Sequence, residues 1–110
     1  MPPSADDRLR DILSAIEKIE RATRGMNVTE FTDDEIVRAA TERFLGVVCE
    51  ASLRLPESVK QQAPGIDWRN MNDFANLLRH AYHSTEVDVV WKIVQNDLPP
   101  LKAFAERNIR

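Results

Sequence analysis

Residues 6–24 read DDRLRDILSAIEKIERATR, and this stretch decides the fold. Its apolar residues are Leu9, Ile12, Leu13, Ile16 and Ile19, a spacing of i, i+3, i+4, i+7. That spacing places them on one face of an α-helix and leaves charge on the others. Ser4 suits the N-cap, because its hydroxyl can accept a backbone N–H that has no partner inside the helix. Asp6 and Asp7 favour the positive end of the helix dipole. Gly25 stands just past the last turn, where a left-handed C-cap residue belongs.

The same periodicity continues along the chain. Thr32-Asp33-Asp34-Glu35 reads as a capping box opening a second helix, with Phe31 before it set to pack on Ile36 or a neighbour. Ile36, Val37, Ala40, Phe44, Val47, Val48 and Ala51 trace its stripe to about Leu53, and Pro56 bars continuation. A short third helix is expected over Pro56–Gln62, ended by Ala63-Pro64-Gly65. A fourth runs from Asp67 or Trp68 to about Tyr82 on Met71, Phe74, Leu77, Leu78 and Ala81. After His83-Ser84-Thr85, a fifth carries Val87, Val90, Trp91 and Val94. Asp97 can cap a final helix whose first turn holds a proline, with Leu101 and Phe104 continuing the apolar face. No segment alternates long enough to make a strand.

The expectation is an all-α, antiparallel bundle of four to five helices, with residues 1–110 as one domain, because such stripes bury best against one another. A chain of 110 residues does not hold two independent cores. Its 43% hydrophobic and 30% charged residues are an ordinary globular balance. No apolar run approaches the ~20 residues of a membrane span, and the polar start is no secretory signal. The lone Cys49 excludes an internal disulfide and fits a reducing, cytoplasmic setting. A net charge of -3 argues against a general nucleic-acid coat, so any such contact must be local.

Chemistry concentrates in residues 68–91, WRNMNDFANLLRHAYHSTEVDVVW, which hold both histidines, the only tyrosine and both tryptophans. On a helix Asn76 and His80 share a face, Arg79 and His83 share another, and Ala75 and Tyr82 lie two turns apart on a third. An imidazole near a helix C-terminus can simply serve the dipole, and each aromatic on a stripe can simply be core. His80 and His83 make a poor zinc pair, since only Cys49, on another helix, or carboxylates such as Asp73 and Glu86 could complete it. No Gly-rich nucleophile turn supports a Ser/His/Asp hydrolase. Acid–base chemistry by histidine on a phosphodiester remains.

From Trp68 to Lys102 the sequence resembles the HepT group of HEPN toxins, small helical proteins of bacterial and archaeal toxin–antitoxin pairs. The shared landmarks are Trp68-Arg69, Asn76, His80, Tyr82, Val87-Asp88-Val89-Val90-Trp91 and Asp97-Leu98-Pro99. The family signature is Arg-x(4–6)-His, and here the arginine position is Ala75. Arg69 and Arg79 do not restore the spacing, so the motif is not intact. With every other landmark present, the favoured reading is arginine replaced by alanine to silence a toxin, over a naturally degenerate member.

The resemblance implies metal-independent RNA cleavage with no cofactor. The 2′-hydroxyl attacks, His80 moves protons, Asn76 orients the imidazole or touches phosphate, and Arg69 and Arg79 contact RNA phosphate. One His80 per chain for two proton transfers points to a homodimer. Tyr82 resembles an acceptor for adenylyl transfer from an MNT-type nucleotidyltransferase antitoxin. The alternative is a non-catalytic helical module that engages a nucleotidyltransferase or a nucleotide, and a plain structural helical protein comes third.

Overall fold

The Ser4 hydroxyl accepts the Asp7 amide at 3.1 Å, and the Asp7 carboxylate accepts the Ser4 amide at 3.0 Å. This reciprocal cap opens α1, Ala5–Thr23. The Ser4 amide and then its hydroxyl hold the Asp7 carboxyl below its ordinary range. The cap is therefore complete above the usual carboxylate range and is lost as pH falls through the lowered value. Leu9, Ile12, Ile16 and Ile19 are buried as expected, joined by Ala15, while Leu13 sits at the edge of the core. Burying each large aliphatic side chain contributes roughly 1.5–3 kcal/mol. Gly25, at φ +77°, turns the chain away in the left-handed conformation that glycine adopts without a Cβ clash. The computed structural model describes residues 4–80 and 87–109, with the backbone alone described at Leu77, Arg79 and His80.

The second capping box lies five residues before the expected one. Asn27 and Glu30 cap each other and start α2, Val28–Asp33. The Thr32 hydroxyl donates back to the Val28 carbonyl at 2.7 Å, so it caps nothing. Asp34 takes that duty, accepting the Val37 amide at 3.0 Å to open α3, Glu35–Leu53. Phe31 does not staple to Ile36. It is fully buried 5.1 Å from the Trp91 ring, while Ile36 is 82% exposed. The buried face of α3 is Thr41, Leu45, Val48, Cys49, Ala51 and Ser52, turned from the expected stripe because α3 packs on α1 and α5 at once. Phe44 is left half-buried, with the Lys18 ammonium 5.4 Å above its ring.

A short α4, Glu57–Lys60, precedes α5, Trp68–His80. The Trp68 indole N–H lies within hydrogen-bond reach of the Lys60 and Ala63 carbonyls, at 3.1 and 3.2 Å. Its ring meets Phe104 edge-on at 5.6 Å. These contacts fix where α5 begins. The last helical stretch is α6, Val87–Lys92, then a π turn, Ile93–Asp97, then α7, Leu98–Asn108. Asp97 does not cap α7 with its side chain, because no helix start exists there to be capped. Pro99 and Pro100 lack the amides that would bond Gln95 and Asn96. The wider turn absorbs that loss, with the Leu98 amide donating to the Ile93 carbonyl five residues back.

The result is an all-α helical bundle in which no strand occurs among the described residues. One face of α1 packs on α3 and another on α7; α3 also packs on α5, and α2 bridges α3 and α6. Lys102 on α7 pairs with Glu20 on α1 at 2.9 Å. No helix among the described residues is long and apolar enough to cross a membrane.

Candidate active site

The backbone of α5 carries Arg69, Ala75, Asn76 and His80. Met71 is buried, and Phe74 and Leu78 pack against the core, so positions 71, 74 and 78 anchor the helix inward. The opposite face is exposed and polar: Arg69, Asn72, Asp73 and Asn76, again at i, i+3, i+4, i+7. His80 follows Asn76 by one helical turn. Asn76 is exposed yet engaged within the chain. Arg69 is exposed near the start of α5, and eleven residues of helix separate it from His80 by about 16 Å. Tyr82 and His83 lie outside the described residues.

Ala75 is half-buried at the border between the two faces. It opens onto a groove of about 350 Å³ between α3 and α5, lined also by Arg43, Gly46, Glu50 and Leu78. Arg43, Gly46 and Glu50 fall at i, i+3, i+7 on α3, so one face of that helix forms the far wall. The Arg54 guanidinium donates to the Glu50 carboxylate through Nε at 2.8 Å and through Nη2, which neutralises that end of the groove. Nothing in the spacing of α5 reveals this wall. The only sequence signal was a polar i, i+3, i+7 set with a glycine in the middle of a helix.

A smaller hollow of about 110 Å³ lies at the other end of α5, with Asp67 and Asp97 on its lining. Burial, and then the Asp67 charge, push the Asp97 carboxyl above its ordinary range. Among the described residues no three His, Cys, Asp or Glu side chains are grouped to hold a metal ion. Cys49 is buried, and burial pushes its thiol up to about 11, far from the range of a reactive thiolate.

Helices that bury their stripes on one another, with Asn76 and His80 one turn apart along α5, define an all-α helical bundle. The family described as Ribonuclease HepT-like matches residues 12–108. A protein of Thermococcus cleftensis named as a probable ribonuclease HepT is 39% identical over 107 residues, covering 97% of both chains. A candidate RNase of Methanocaldococcus jannaschii, MJ1380, is 30% identical over 98 residues, covering 89% of this chain and 90% of the other. A second from that organism, MJ0127, is 33% identical over 99 residues, covering 88% and 82%. No solved structure matches the chain. The chain belongs to the HepT-like ribonuclease family, and its function is of the ribonuclease type.

Proposed function

We propose that this chain is the toxin subunit of a HEPN/MNT toxin–antitoxin pair, an endoribonuclease that works as a dimer and is disabled here at position 75. The observation that carries the reading is the family match across residues 12–108, together with the one-turn spacing of Asn76 and His80 along α5.

RNA brings its own nucleophile. A base must take the 2′-hydroxyl proton, an acid must protonate the leaving 5′-oxygen, and positive charge must steady the crowded phosphate between them. Histidine titrates near neutrality and can serve in either proton role. Two copies of His80, one from each subunit across a two-fold axis, supply both. Attack then leaves a 2′,3′-cyclic phosphate and a 5′-hydroxyl, and neither step needs a metal ion. Asn76 orients the imidazole on its own face. An arginine at position 75 would project into the groove beside Leu78 and offer a fork of donors to the phosphoryl oxygens. Alanine offers none. In the cell, Tyr82 takes an AMP group from an MNT-type nucleotidyltransferase, which places bulk and negative charge where the RNA phosphate must sit.

The test compares RNA cleavage by this chain, by Ala75→Arg and by Ala75→Arg with His80→Ala. Restoring the clamp should raise the rate on the order of 10²–10³, the usual worth of one charge-assisted donor set in a transition state. Removing His80 should abolish the gain. Ala75 itself favours a second reading, a non-catalytic module that engages a nucleotidyltransferase or nucleotide. Failure of Ala75→Arg to cut RNA would select that reading. Equal cleavage by all three proteins would refute the assignment of positions 75 and 80. Light scattering checks the dimer, and intact mass with a nucleotidyltransferase and ATP checks for an AMP-sized adduct absent in Tyr82→Phe.

A further inference from the structure

The groove beside Ala75 has an unused cation on its far wall. Arg43 is exposed on α3, and among the described residues it makes no ion pair or hydrogen bond. The carboxylate that shares its wall, Glu50, is already held by Arg54. Among the described lining residues Arg43 is therefore left as an unbalanced positive charge, in a chain whose net charge is -3. Its remaining lining leaves room for a ligand. A Cβ built at Gly46 would meet nothing within 4 Å, so among the described residues no side chain fills the space above it, and Ala75 across the groove ends at Cβ. A mid-helix glycine costs roughly 1 kcal/mol against alanine, and packing among the described residues does not require it at position 46. Leu78 gives the groove one apolar side.

We infer that Arg43 holds a backbone phosphate of the RNA strand in the groove between α3 and α5, opposite position 75. The inference rests on the RNA-cleaving reading above and adds a residue from a different helix to it. Position 75 and His80 are five residues apart on α5, about 7.5 Å along the axis. A phosphate seated between Arg43 and position 75 thus belongs to the same strand as a ribose presented to His80. A guanidinium suits this task because it stays charged and presents two parallel N–H donors to phosphoryl oxygens. Among the described residues that line this groove, Arg43 is the cation that keeps no carboxylate of its own.

The experiment measures binding of a fluorescently labelled single-stranded RNA by anisotropy across a salt series. It compares this chain, Arg43→Ala, Arg43→Lys and the control Arg107→Ala, an exposed arginine on α7. Arg43→Ala should weaken binding about tenfold and lower the salt slope by about 0.7, one phosphate contact on a single strand. Arg43→Lys should keep the slope but not the full affinity, and Arg107→Ala should change neither. In the Ala75→Arg background, Arg43→Ala should raise KM for RNA more than it lowers kcat. Arg43 is exposed, so its removal leaves the fold intact, which a thermal melt checks. RNA bound or cleaved with no dependence on Arg43 would overturn this inference alone. RNA neither bound by the chain nor cleaved by Ala75→Arg would overturn it together with the reading on which it rests.

Discussion

Phe31 tests the packing of this bundle. A hydrophobic staple would set it against Ile36, whereas the structure buries it completely, 5.1 Å from Trp91, at the point where α2 meets α6. The two arrangements predict different costs. Truncating a fully buried phenylalanine to alanine removes its transfer free energy and leaves a cavity, about 3–5 kcal/mol together. A domain of this size has a total stability of roughly 5–15 kcal/mol, so the loss is a large share of the whole. Phe31→Ala should therefore lower the urea midpoint strongly with the m-value unchanged. Ile36→Ala, at an 82% exposed position, should stay within about 0.5 kcal/mol of the parent. A double-mutant cycle with Trp91→Leu should return a coupling of about 0.5–1.5 kcal/mol for the ring pair. Comparable losses in Ile36→Ala and Phe31→Ala, or zero coupling between Phe31 and Trp91, would refute this account of how α2 is held.

Thr41 is fully buried and its hydroxyl has no hydrogen-bond partner among the described residues. Thr41→Val should raise the stability by up to about 1–3 kcal/mol, as read by the same urea titration. Cys49 should resist iodoacetamide in the native protein at neutral pH and react once unfolded, because burial holds its thiol at about 11. Its rapid native labelling, seen by intact mass, would contradict the packing of α3. The hydrogen bond and charge of Glu20 raise the Lys102 ammonium above its ordinary 10.5. That contribution is complete below 10.5 and fades as pH rises through the raised value, so melts of Lys102→Ala and the parent should differ near neutrality and converge in strong alkali. Asp97 has the opposite sign: its folded value is raised, so its ionised form disfavours the fold. Asp97→Asn should melt higher than the parent near neutral pH, and the gain should vanish in acid as Asp97 takes up its proton.

The amino-acid sequence by itself determined what depends on neighbours a few residues away. The α1 stripe, the Ser4 cap with its acidic first turn and the left-handed Gly25 all rest on contacts within about one turn, so their signals stay local. The one-turn spacing of Asn76 and His80 along α5 follows from the helix for the same reason. Tertiary structure decided the rest. Thr32 was the expected cap, and packing of Phe31 on Trp91 favours instead the break that uses Asn27 and Asp34. Two helices packing on α3 turned its buried face toward Thr41 and Ser52. The groove that joins Ala75 to Arg43 exists only because α5 lies against α3. Periodicity tells which face of a helix avoids water, but not which other helix will cover it, because the hydrophobic effect that drives the covering has no direction of its own.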